Sequence, residues 1–211
     1  EKSDYYVSLG YLDEKGYIIR SDYNRINGRI NVNSKPLSWF KTGLNITGNM
    51  TKSNQADADG STSFVNPFYF SRNMGPIYPV YAHDPTTGAL LYDEKGAKIY
   101  DTGNLFSSLG IPNRPSGANV GRHILQETLL NKNQIKRNVL GARAYGEVTF
   151  LKDFKFTTNL GVDVTNYFFS DYQNKIVGDG APNGRARNTS TTTTSYTFEQ
   201  LLNYSKKFDK H

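Results

Sequence analysis

The sequence contains no cysteine, a single tryptophan and few aliphatic residues. The absence of cysteine excludes disulfides and cysteine-ligated metal sites within these residues. No segment approaches the roughly 18–20 consecutive apolar residues of a membrane helix, which leaves a closed β-barrel as the only membrane-spanning alternative. Only 36% of the 211 residues are hydrophobic, which is little for the core of an ordinary soluble domain.

Aromatic residues are abundant instead, with 15 Tyr and 12 Phe. Tyrosine suits a barrel wall between lipid and water, because its ring tolerates lipid while its hydroxyl reaches the headgroups. The net charge is +6, but Lys and Arg are scattered along the chain and form no compact basic block. Without such a patch, nucleic-acid binding is not expected.

Alternation of apolar and polar residues with a period of two is the dominant pattern, and it predicts β-strands. It is clearest over 25–33, where Ile26, Ile30 and Val32 alternate with arginine and asparagine. The predicted fold class is therefore all-β: a portion of an antiparallel transmembrane β-barrel with about six strands. The predicted strands cover residues 4–12, 17–33, 39–51, 138–150, 155–169 and 191–205.

Short and long connections alternate along the chain, as they do in outer-membrane barrels. Residues 34–38 and 151–154 are predicted to form short periplasmic turns, and 13–16 a tight turn at the opposite, extracellular end. Residues 52–136 are predicted to form one long extracellular loop. Because connections of this length are rare in compact soluble domains, the loop argues against such a domain.

Local structure is also expected within the longer connections. Residues 92–100 are predicted to form a small hairpin around Glu94, Lys95 and Gly96, and residues 120–130 a short helix. By contrast, the polar segment 178–194 is expected to be a mobile loop.

Three stretches of the chain resemble SusC-type (RagA-type) TonB-dependent transporters. They are SDYNRINGRINVNSKPLSWFKTGLNITGN at 21–49, RNMGPIYPVY at 72–81 and FEQLLNYSKKFDKH at 198–211. The resemblance covers nearly the whole chain and implies a larger, plugged barrel of about 22 strands. It further implies import of oligosaccharide (glycan) fragments or peptides together with a SusD-like surface lipoprotein that acts as a lid.

The chain departs from this family in having no plug domain, no TonB box and too few strands, so we expect an internal portion of the barrel. The resemblance implies a place in the outer membrane of a Gram-negative bacterium. The implied partners are the remainder of the barrel with its plug, outer-membrane lipid, the lipoprotein, and TonB through a missing N-terminal region. The start at Glu1, without a Met or a signal-peptide pattern, also predicts a mature or processed product.

Candidate substrate-binding residues are the aromatic side chains of the long loop, which could stack on sugar rings or peptide side chains. They are Phe68, Tyr69, Phe70, Tyr78 and Tyr81. The alternative, favoured by prolines at 67, 76 and 79, is that these rings pack the loop against neighbouring loops or the lid. The charged side chains of the barrel interior are expected to pair with the plug. They are Arg25, Arg29, Lys41, Arg143 and Glu147.

No catalytic residue, cofactor or metal site is predicted. His83, His123 and His211 lack the spacing of a zinc motif, and the sequence contains no nucleophile elbow or comparable catalytic motif. Two other classes share parts of the pattern. A secreted or surface β-sandwich that binds glycans would fold alone, and a general porin or adhesin barrel would lack the plug and the lid.

Overall fold

The computed structural model describes residues 2–56 and 66–208. Within them, six strands form one antiparallel sheet in which each strand pairs with its neighbours in chain order. The strands are β1 (Ser3–Lys15), β2 (Asp22–Leu37), β3 (Phe40–Asn54), β4 (Lys132–Phe150), β5 (Phe154–Gln173) and β6 (Arg185–Tyr204). The predicted all-β antiparallel fold is confirmed. The sheet does not close, because β1 and β6 are its two edges.

The connections divide between the two ends of the sheet. The turns at 38–39 and 151–153 lie at one end, here called the hairpin end. The opposite end carries the turn 16–21 and two longer segments, 66–131 and 174–184, here together called the cap. The cap contains the helices α1 (Pro67–Asn73) and α2 (Ile124–Leu130) and two single turns of 3₁₀ helix, Ser107–Leu109 and Ser116–Ala118. Residues 57–65 of the predicted long loop lie outside the described residues.

Some element boundaries differ from the prediction for local physical reasons. β2 begins at Asp22 rather than 17, because Gly16 N–H donates to Ser21 O and Arg20 has a φ of 65°, so the turn extends further. β6 begins at Arg185 rather than 191, and 185–194 pairs in register with 164–173 of β5. The predicted loop is therefore wrong for 185–190, and 191–194 belongs to the strand, as the predicted strand 191–205 has it. β-branched threonine supports this strand without apolar alternation.

The predicted local structures of the long connection are present in part. The bridge between Tyr92 and Lys98 forms a small antiparallel hairpin over the predicted region, and a further bridge joins Tyr100 at its end to Tyr81. The predicted helix at 120–130 begins at Ile124, because His123 has extended backbone and caps its first turn. No helix among the described residues combines the length and apolar character needed to cross a bilayer.

The register assigns each strand residue to one of two faces, because directly paired residues point to the same side of a sheet. One face carries apolar rows, of which the most complete is Val7, Ile30, Ile46, Ala142, Val162 and Tyr196. The other face carries polar rows, such as Asn31, Asn45, Arg143, Gly161 and Thr197. We call them the apolar face and the polar face.

The apolar face is uncovered. Ile30 and Leu44 are each 44% exposed and Leu140 is 54% exposed. Among the described residues, the buried apolar side chains are Phe70, Ala82, Ala118 and Val177, and all of them lie in the cap. The sheet therefore does not form one wall of a hydrophobic core.

Candidate functional site

The five aromatic residues predicted to bind substrate lie in the cap, and the structure gives them different environments. Phe68, Tyr69 and Phe70 belong to α1, which begins where the Asn66 side chain accepts hydrogen bonds from Phe68 N and Tyr69 N, at 2.9 and 3.3 Å. Phe68 is 51% exposed, with its ring edge-on to Tyr17 at 6.4 Å. Phe70 is only 6% exposed and fills the interior of the cap.

Tyr78 and Tyr81 are half-buried and contact other parts of the cap. The guanidinium carbon of Arg114 lies 5.3 Å from the ring centre of Tyr78. The Tyr81 ring packs on Tyr100 at 5.2 Å, with Lys98 Nζ 5.0 Å from its centre. These contacts organise the cap, whereas Phe68 has the most exposed ring of the five predicted residues. A substrate contact by any of the five stays a prediction.

The buried part of the cap is organised around His123. Its Nδ1 accepts a hydrogen bond from Gln126 N at 3.3 Å, which caps α2, and its ring lies 4.8 Å from Tyr100. Burial lowers the pKa of His123, and nearby Arg114 lowers it further, while a hydrogen bond to the Val80 backbone and the charge of Asp101 act in the opposite direction.

An ion-pair cluster joins the two segments of the cap. Arg122 donates to Glu127 through Nε and Nη2, at 2.9 and 2.7 Å, and through Nη1 to Asp179 at 2.6 Å. Burial opposes the charged form of Arg122, but the hydrogen bonds that it donates to Glu127 and Asp179 raise its pKa. Sequence reasoning missed this cluster, because the arginine and Asp179 are 57 positions apart and no local pattern links them.

Charged residues on the polar face are partly paired within the sheet. Glu147 lies 3.5 Å from Lys41 and 3.3 Å from Lys155, and Arg143 donates to Asp163 at 2.8 Å. Three of the residues expected to pair with the plug, Lys41, Arg143 and Glu147, therefore already have charged partners within the sheet. Arg25 and Arg29 form no ion pair with any described residue.

A shallow groove crosses the middle of the polar face and is lined mainly by amide, hydroxyl and charged side chains. Its lining includes Asn31, Asn45, Arg143, Tyr145, Asn159 and Glu199. Gly43 makes room for the Tyr145 ring, whose hydroxyl reaches Asn33 Oδ1 at 3.3 Å. The described parts of the chain contain no group of three His, Asp or Glu side chains placed to hold a metal ion.

The described residues form an open antiparallel sheet with one polar face, one uncovered apolar face and a folded cap at one end. No protein-family model matches the sequence, and no curated protein matches it. Similar folds occur in solved structures of the RagAB peptide importer. The "open-open" state gives a TM-score of 0.68 at 19% identity, and the "closed-closed" state 0.64 at 20%, each covering 99% of this chain.

A third structure, the RagAB peptide transporter, gives a TM-score of 0.66 at 20% identity over the whole of this chain. In each comparison the chain spans 21% of the length of the chain it matches. At this identity the likeness is one of fold. The six strands and the cap together are similar to about a fifth of a transporter chain.

Proposed function

We propose that this chain is part of the barrel wall of a SusC-like, TonB-dependent transporter in the outer membrane of a Gram-negative bacterium. The polar face lines the interior, the apolar face contacts lipid, and the cap lies at the extracellular end. The remainder of the barrel continues from the free edges of β1 and β6, since an open sheet edge is not stable in a bilayer.

The observation that carries this proposal is the length of the apolar stretch on successive strands. On the apolar face, segments 40–50, 140–150 and 154–164 contain no charged side chain, and beyond them the same face becomes polar at Lys52, Asn138 and Asn166. Each segment matches the roughly 9–11 residues that a tilted strand needs to cross the hydrocarbon core.

Aromatic side chains at the hairpin end support the same placement. Phe150 stacks on Phe154 at 5.6 Å, Phe154 packs on Tyr204 at 4.8 Å, and Trp39 lies 5.9 Å from Phe40. Such rings concentrate at the boundary between lipid and water in outer-membrane barrels.

The two other classes fit the structure less well. A glycan-binding β-sandwich needs a second layer packed on the apolar face, and the described residues supply none. A general porin or adhesin would share the wall, but the similarity in fold to RagAB structures favours an importer. Import of peptides or glycan fragments, the SusD-like lid and energy from TonB are parts of the proposal that this similarity supports.

The test uses the full-length protein that contains this chain, expressed in its bacterium. We expect it in the outer-membrane fraction, with an electrophoretic mobility that changes on heating, and we expect a surface lipoprotein to co-purify with it. Deletion of the gene is expected to remove uptake of a specific peptide or oligosaccharide. Recovery of the protein as a soluble, cooperatively folding monomer would contradict the proposal.

A further inference from the structure

Three arginines on the two strands β2 and β4 of the polar face, Arg25, Arg29 and Arg137, have no carboxylate partner among the described residues. Arg25 of β2 and Arg137 of β4 pair with the same residue, Thr51 of β3, from its two sides. At the usual spacing of strands their Cα atoms are about 10 Å apart. Arg29 points to the same face four residues along β2, about 13 Å from Arg25.

Aromatic side chains flank these arginines on the same face. Tyr167 of β5 pairs directly with Arg137, and Tyr23 lies two residues before Arg25 on β2. We call Arg25, Arg29, Arg137, Tyr23 and Tyr167 the arginine patch. It lies at the end of the sheet that carries the cap.

The neighbouring acidic groups do not neutralise the patch. Asp163 is in register with Arg29 through Thr47 and Gly141, but its carboxylate accepts from Arg143 at 2.8 Å. Glu14, which pairs with Tyr23, forms no ion pair with a described residue. The patch therefore carries a net positive charge.

Hydrogen-bonding capacity at the patch is also unused. Arg25 Nε and Asn49 Oδ1 are both shielded from solvent and have no hydrogen-bond partner among the described residues. Asn49 is two residues before Thr51 on the same face, so an unmatched donor and an unmatched acceptor lie in adjacent rows.

We propose that the arginine patch binds carboxylate groups of the transported oligomer, so that the transporter selects acidic substrates. Arginine presents a planar fork of donors that matches a carboxylate, and it stays charged at every physiological pH. The tyrosine rings add stacking surface for peptide or sugar units. This inference rests on the proposed function, because the polar face must line the transport path.

The test measures ligand binding to the purified full-length transporter in detergent. The probes are hexaglutamate and hexaglutamine for peptide carboxylates, and an oligogalacturonate and a neutral maltooligosaccharide of equal length for sugar carboxylates. We expect the acidic member of at least one pair to bind more tightly, with an affinity that falls as salt is raised.

The variant R25Q/R137Q removes two charges from the patch. The matched control K52Q/K136Q removes two charges from a single row of the opposite face, one position along the strands, where Lys52 and Lys136 pair directly. We expect the patch variant to weaken binding of the acidic probe by at least about tenfold and the control to change it by less than about twofold.

Three outcomes would overturn the inference. The first is no preference for either acidic probe, and the second is an equal loss of affinity for the acidic probe in both variants. The third is a lowered thermal stability of the patch variant with unchanged binding, which would indicate that the plug covers the patch. If the protein lies in the outer membrane but shows no preference for carboxylates, only the role proposed for the arginine patch is overturned. A protein absent from the outer membrane overturns the proposed function itself.

Discussion

Glu127 holds the guanidinium group of Arg122 through both carboxylate oxygens, at 2.9 and 2.7 Å, while its own side chain is only 1% exposed. Its Oε1 also accepts from His123 N at 3.2 Å. Because the arginine binds Asp179 as well, this one carboxylate connects α2 to the segment between β5 and β6.

The variant E127Q should therefore loosen the cap. Replacing one partner of a buried ion pair leaves the other charge poorly compensated, and we expect a loss of about 3 kcal/mol in the local stability of the cap. Hydrogen exchange of the amides at 123–131 and 176–180, measured on the full-length protein, reports this opening free energy.

Glu94 provides the matched control, since it lies exposed in the small hairpin of the same cap. The variant E94Q is expected to change the opening free energy by less than about 0.5 kcal/mol. Equal protection in E127Q and E94Q would show that the ion-pair cluster does not hold the cap together.

Gly43 and Gly48 of β3 give a prediction for the stability of the sheet. A Cβ on Gly43 would meet the Tyr145 ring and lie 2.6 Å from Asn33 Oδ1, whereas a Cβ on Gly48 would have no atom within 4 Å. We expect G43A to lower the free energy of unfolding of the full-length protein by about 1–3 kcal/mol and G48A to change it by less than about 0.5 kcal/mol. Denaturant titration of the purified full-length protein checks this, and a G43A midpoint equal to that of G48A would contradict it.

The cap should also respond to pH through His123. Because the folded state lowers the pKa of this imidazole below its ordinary value of 6.5, the unfolded state binds the proton more readily. The stability that neutral His123 contributes is then complete above about pH 6.5 and is lost as pH falls from there towards the lowered value. Protonation would also remove the acceptor for Gln126 N and weaken the start of α2.

Hydrogen exchange of 123–131, corrected for the intrinsic effect of pH on exchange, should therefore show more frequent opening at pH 5 than at pH 7.5. The variant H123N keeps a good capping side chain but does not titrate, so the pH effect should disappear. H83N, at an exposed position of the same cap, should retain it. Persistence of the effect in H123N would exclude His123 as its source.

The sequence predicted the sheet well where both faces alternate clearly. The alternation at 25–33 and 39–51 gave the correct faces for Ile30 and Leu44, because a period of two fixes which side chains share a side. Strand ends were less predictable. At 189–194 threonine and serine occupy both faces, so the pairing with β5 leaves no trace in the hydrophobic pattern.

The cap was harder to predict than the sheet. Its aromatic and proline content indicated order, but the partners of those rings, such as Tyr17 for Phe68 and Arg114 for Tyr78, lie in distant parts of the chain. His123 is not among the usual capping residues, so the start of α2 could not be placed from sequence. Contacts of this kind depend on how the connections at one end of the sheet pack together.

The most direct test of the central claim is the environment of successive side chains on one strand. Nitroxide labels placed on single cysteines at positions 44, 46 and 140, and at 45, 47 and 143, report collisions with oxygen in lipid and with a nickel chelate in water. In the full-length protein, reconstituted in lipid in a cysteine-free background, the first set should be relaxed mainly by oxygen and the second mainly by nickel. Protection of the first set from both reagents would mean that the apolar face is packed against protein, and would contradict the proposal that this sheet is part of a barrel wall facing lipid.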